Sequence, residues 1–249
     1  MSLLLAGCGG DGDSGPAPLP TVSATPTAEG VGALRLERFH YVAAVTLREG
    51  GGEASEIVVS TEGDFQSPGR HAFTYTTRIG SDTIQRSVVL IDEEAWLREG
   101  DEPWRKATAD DPELAELLSV AFSTVRPHFL GGPEFERVRE SVRRLPSTEE
   151  SVNDVPTDYY QVGSPGREFF EAFLAEEQLL RNAQDFRWEL WLARDGAWPV
   201  RLLASAAITA DLPILQELDL QPPTSWELRI DISRPNDPTL TVAPPEEGG

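Results

Sequence analysis

The sequence predicts an α+β fold dominated by antiparallel sheet, and three observations predict it. Segment after segment alternates apolar with polar side chains, the period of a half-buried strand. Short turns rich in Gly, Asp and Ser separate neighbouring segments, as hairpins require. Stretches with helical apolar spacing interrupt the strands at two main places.

Composition sets the outer bounds. A chain of 249 residues, 39% hydrophobic and 25% charged, can bury a substantial core. No apolar run approaches the roughly 20 residues of a membrane-crossing helix. The formal charge of −21 argues against a nucleic-acid partner, because phosphate contacts need a basic face.

The N-terminus reads as a signal and a tether. Leu5-Ala6-Gly7-Cys8 follows a short apolar run and has the small residues of a lipoprotein cleavage and acylation site. The signal is truncated: it lacks a basic start, and its apolar part falls short of the usual 7–15 residues. Cys8 is the only cysteine, which excludes an internal disulfide and a thiolate metal cluster. Residues 9–33 are almost entirely Gly, Pro, Ser, Thr and Ala, a composition too poor in apolar surface to offset chain entropy. As a flexible tether they would span roughly 25–30 Å r.m.s.. Gly12-Asp13-Ser14-Gly15-Pro16 is close to the nucleophile stretch of trypsin-like proteases. Ser14 has no folded domain before it to supply a histidine and an aspartate, so a catalytic reading fails. A calcium-loop reading of 11–15 lacks the later acidic ligands.

The strands then follow in order. "FHYVAAVTL" (39–47) places Phe39, Tyr41, Ala43, Val45 and Leu47 on one face. A Gly-rich turn at 49–53 returns the chain through "SEIVVSTEGDF". "HAFTYTTRIG" and "DTIQRSVVLID" flank a turn at Gly80-Ser81, and "EAWLREGDEPWRKA" reads as a hairpin with Trp96 and Trp104 on its two arms. "SVNDVPTDYYQV" (151–162) reads as a strand. "DFRWELWLARDGAWPVRLLASAAITA" pairs two strands around Asp195-Gly196, and "SWELRIDIS" supplies the last, with Trp226, Leu228, Ile230 and Ile232 on its dry face.

Helices are expected over 110–130, capped by Asp111 with Pro112 in the first turn, and over 164–180, capped by Ser164. The first carries Leu114, Leu117, Leu118, Ala121, Phe122 and Val125 as one stripe. The second carries Phe169, Phe170, Phe173 and Leu174. "EFERVRESVRRL" (134–145) also fits a helix. Its Arg137, Arg139, Arg143 and Arg144 form a basic island, read chiefly as a solvated face paired with Glu136 and Glu140 and otherwise as a contact for phosphate headgroups.

This order of elements resembles the LolA/LppX-type (LppX/LprG-like) bacterial envelope lipoprotein family over about residues 38–245. The likeness rests on Leu5-Ala6-Gly7-Cys8, "VVLIDEEAWLREGDEPWRKA", "SVNDVPTDYYQV", "WELWLARDGAWPVRLLASA" and "ELRIDISRPNDP". The chain departs from the family in its short signal and its acidity. The resemblance implies a strongly curved antiparallel sheet, an incomplete β-barrel, with helices covering its concave face. It also implies an apolar cavity that accepts acyl chains of lipids or lipoproteins. Within it, residues 1–8 are the signal, 9–33 the tether, 34–245 a single domain and 246–249 a disordered tail.

The residues that fit the wall of such a cavity are Phe39, Tyr41, Phe73, Tyr75, Trp96, Phe169, Phe173, Trp188, Leu190 and Trp226. Aromatics at strand or helix spacing are ordinary core in most proteins, and the sequence does not separate a filled interior from an open one. The function expected is a non-enzymatic, extracytoplasmic protein held to the cell membrane, at the periplasm or outer face, by acylated Cys8. It would bind or carry a lipid or other acylated ligand. The rival is a signalling or protein-interaction module on the same fold, with an envelope protein as partner. No catalytic residues, cofactor or metal site are expected. His40, His71 and His128 lack ligand spacing, and Asp92-Glu93-Glu94 and Glu176-Glu177 read as solvated carboxylates.

Overall fold

A computed structural model of the chain describes residues 34–50, 56–108, 110–115, 117–118, 130, 132–162, 183–212, 215–216 and 219–246. Strands β1 (Arg38–Glu49), β2 (Glu56–Gln66), β3 (Arg70–Ile79), β4 (Asp82–Ile91), β5 (Glu94–Glu99) and β6 (Arg105–Ala107) come first. Helix α1 (Pro133–Val142) follows. Then come β7 (Thr148–Val152), β8 (Val155–Val162), β9 (Ala183–Ala193), β10 (Pro199–Ile208) and β11 (Thr224–Ser233).

Among the described residues all eleven strands join one antiparallel sheet in the order β6-β5-β4-β3-β2-β1-β11-β10-β9-β8-β7. The chain meanders outward from β1 to β6, resumes at the far edge with β7, and works back to β11. There the last strand pairs with the first: Tyr41 opposite Ile232, Ala43 opposite Ile230, Leu47 opposite Trp226. β6 and β7 are the two edges, so the sheet is open. The segment between them contains α1.

Alternation decides which side is dry. In β11 every second residue from Thr224 to Ile232 is buried, and in β10 the same holds from Leu202 to Ile208. Phe39, Leu190, Leu202 and Ile208 are fully buried, and each such side chain contributes about 1.5–3 kcal/mol. Helix α1 adds Phe135, Val138 and Val142 to the same cluster at helical spacing. Of the basic island, Arg139 is buried and paired with Glu136; burial lowers its affinity for its proton.

The turns account for several sequence signals. Gly80 takes φ +58° in the β3–β4 hairpin, the left-handed conformation a tight turn needs. Asp111 caps the helical turn that starts at residue 112. Its Oδ1 accepts the backbone N–H of Glu113 (3.0 Å) and of Leu114 (3.3 Å), while Arg105 holds its other oxygen at 2.5 Å. Residues 151–162 are not one strand, as the sequence suggested. Asn153 (φ +52°) and Asp154 (φ +63°) form a two-residue turn between β7 and β8, which side-chain hydrogen bonding by Asn and Asp makes cheap. The remainder of the expected 110–130 helix, and all of the 164–180 helix, lie outside the described residues.

Gly63, in the middle of β2, has no room for a side chain. A Cβ there would lie 2.5 Å from the carbonyl oxygen of Ala72 and 2.7 Å from Cβ of Phe73. A strand glycine here lets the neighbouring strand approach closely. A register shift between Ser205 and Ala207, opposite Asp185 at φ +52°, adds a bulge between β9 and β10.

The other face of the sheet is partly covered by the C-terminal segment. Asp237 accepts the N–H (2.8 Å) and hydroxyl (2.6 Å) of Thr239 and the Nε of Arg234 (2.9 Å). These bonds hold its carboxyl at about 2. The turn so fixed delivers Val242 onto Val89, Ile91 and Trp96, a small separate cluster.

Candidate functional site

The apolar face can be followed row by row across the sheet. One row runs Tyr160, Leu190, Leu202, Ile230, Ala43, Thr61 and Tyr75, from β8 to β3. The next runs Val162, Trp188, Ala204, Leu228, Val45, Val59 and Thr77. Toward the far edge, Tyr41, Gly63, Phe73, Val88 and Leu97 continue the surface to β5. Small residues, Ala43, Thr61, Gly63 and Ala204, stand among larger ones such as Leu202, Ile230 and Leu228 along these rows.

Seven of the residues singled out from the sequence share this face. Phe39, Tyr41, Trp188, Leu190 and Trp226 belong to the main buried cluster, and Phe73 and Tyr75 to the cluster beside it. Trp96 is not among them. Ala95 and Leu97 take the apolar face of β5, so alternation turns Trp96 to the opposite side, against Val89, Ile91 and Val242. Phe169 and Phe173 lie outside the described residues, as does Cys8.

Two polar features on this face escape a reading by hydropathy. The Tyr41 hydroxyl and His71 Nε2 lie 2.6 Å apart, both side chains buried, with His71 ringed by Phe65 and Phe73. Burial pushes the Tyr41 phenol well above its ordinary range, with the charge of Asp64 a lesser cause, so it stays protonated. Thr61 is fully buried, and its Oγ1 has no hydrogen-bond partner. A buried hydroxyl left unpaired costs about 1–3 kcal/mol. Thr61→Val is therefore expected to raise stability by about 1 kcal/mol, measured by urea unfolding. A loss of stability would show that the hydroxyl is satisfied.

The face also reaches solvent. At the β3–β4 tip Ile79 and Ile84 are each 48% exposed, although they continue the rows of the buried Ile57 and the half-buried Val59. Two half-exposed isoleucines beside a buried apolar surface form an apolar rim.

No protein-family model matches the sequence, and no curated protein matches it. Among solved structures, the chain is similar to LprF from Mycobacterium bovis. The two share 12% identity over 86% of this chain and 90% of that one, with a TM-score of 0.48. It is also similar to a LolA superfamily protein from Nitrosomonas europaea, at 8% identity over 84% and 92% of the two chains and a TM-score of 0.26. A third is an outer membrane lipoprotein-sorting protein domain from Vibrio parahaemolyticus, at 9% identity over 83% and 85% and a TM-score of 0.23.

Proposed function

We propose that this protein is a lipid-anchored, non-enzymatic envelope protein that holds an acyl chain against the apolar face of a bent sheet. Cys8 carries the anchor, and residues 9–33 give the folded part its reach. Helical segments, α1 among them, cover the face. The observation that carries this reading is the apolar surface itself: continuous over nine strands, with small residues at Ala43, Thr61 and Gly63, and reaching solvent at Ile79 and Ile84. An acyl chain buried against that face would gain about 0.8 kcal/mol per methylene, roughly 10 kcal/mol for a long chain before ordering costs. Two acyl chains on the anchor hold a protein stably to a bilayer where one is marginal.

The binding test is a titration of delipidated protein with the fluorescent fatty acid cis-parinaric acid. Excitation of Trp188 and Trp226 is expected to transfer to the bound probe and to saturate. Emission that grows linearly without saturation contradicts the proposal. For the anchor, Cys8→Ser is expected to move the protein from the membrane fraction to the soluble fraction; undiminished membrane retention rules acylation out.

A further inference from the structure

The opposite face of the sheet holds a site of different chemistry, independent of the apolar face. Between β1 and β5 lies a trough of about 480 Å³. The register sets Val42, Glu62, Thr74, Ser87 and Arg98 in one row across five strands. Glu62 and Arg98 are three strand spacings apart, roughly 14 Å. Between them the floor is low, and the hydroxyls of Thr74 and Ser87 lie 3.1 Å apart along it.

The two ends differ in sign. At one, His40 Nδ1 is 2.9 Å from Asp64 and its Nε2 is 3.6 Å from Glu62. At the other, the Arg98 guanidinium lies over the ring of Trp104 at 4.7 Å, and its Nε is buried with no acceptor. Its neighbours show why this matters. Arg86 faces Glu99 and Glu113, Arg105 faces Asp111 and Glu113, and Lys106 faces Glu94. Among the described residues Arg98 alone of the β4–β6 cations has no carboxylate, in a chain with 42 acidic and 21 basic residues. A guanidinium held on an indole and left without a carboxylate is preorganised to take an anion on its terminal nitrogens.

The acidic end limits what that anion belongs to. Carboxylates only accept hydrogen bonds, so the part of a ligand lying over Glu62 and Asp64 must donate them. The Thr74 and Ser87 hydroxyls can do either. We infer that this trough binds an acidic carbohydrate. A carboxylate or phosphate sits on Arg98, and sugar hydroxyls run along Thr74 and Ser87 to donate to Glu62 and Asp64.

The test is calorimetric titration of the intact chain with sodium glucuronate, glucose 6-phosphate, glucose and inorganic phosphate. At least one charged sugar is expected to bind with Kd of about 1 mM or tighter, and glucose and phosphate each at least tenfold more weakly. The stronger of glucuronate and glucose 6-phosphate tells carboxylate from phosphate. Arg98→Gln is expected to weaken the charged sugar at least tenfold. Ser87→Ala, which leaves the Arg98–Trp104 pair in place, weakens it severalfold, and Arg78→Gln, outside the trough, leaves it unchanged. Melting curves confirm that each variant is folded. The inference is overturned if no probe saturates below roughly 10 mM, if phosphate binds as tightly as the charged sugars, or if folded Arg98→Gln binds normally.

Discussion

Gly63→Ala is expected to destabilise the protein by about 3 kcal/mol, an effect at the upper end for added volume. The new Cβ would meet the Ala72 carbonyl and the Phe73 Cβ at 2.5 and 2.7 Å, distances that real Cβ atoms do not show. Neither obstacle is the free end of a flexible side chain. Both belong to β3 where it pairs with β2, so relief means prising the ladder apart at Asp64–Ala72 and Gly63–Phe73. For a domain of this size the melting temperature should fall by roughly 6–12 °C. Gly69→Ala is the control: its nearest neighbour is Asp92 Oδ1 at 3.7 Å, ordinary contact, and the change should stay within about 0.5 kcal/mol. Equal melting curves for the two variants would mean that β2 and β3 do not crowd at this position.

The second large effect is on binding. Ala43 is fully buried at the centre of the apolar face, between Ile230 and Thr61. If the middle of that face is left open for a ligand, Ala43→Leu places its added carbons in the space the acyl chain uses. Parinarate affinity should drop at least tenfold, about 1.4 kcal/mol, while the melting temperature of delipidated protein moves little. A filled interior predicts the reverse: strain of about 1–3 kcal/mol on stability, and no selective loss of binding. The two outcomes separate a wall from a core, which hydropathy alone does not.

Much of the fold was legible because it is local. β1 and β11 announce themselves by strict alternation from Phe39 to Leu47 and from Trp226 to Ile232, and the Gly80-Ser81 and Asp195-Gly196 turns mark their hairpins. Their pairing with each other was not legible. It joins residues some 190 positions apart, and nothing local records the register. β7 was missed as a separate strand because it is an exposed edge: Thr148, Glu149, Glu150 and Ser151 have no apolar face to read.

The site shows the same division. Phe39, Tyr41, Phe73 and Tyr75 fall where alternation puts them. Trp96 does not, because Ala95-Trp96-Leu97 is apolar on both faces and gives alternation nothing to choose by. Thr61 and the Tyr41–His71 pair are polar groups whose burial depends on strands far away in sequence, and the Arg98–Trp104 stack needs the β5 hairpin to be closed before its two residues meet.

The most direct measurement is solvent extraction of the protein purified natively, without detergent exchange, followed by mass spectrometry of what is released. An acyl-bearing molecule is expected in near-stoichiometric amount from the unaltered chain and in much reduced amount from Ala43→Leu. Protein that yields no acyl-bearing molecule, or the same trace amount from both chains, would contradict the proposal.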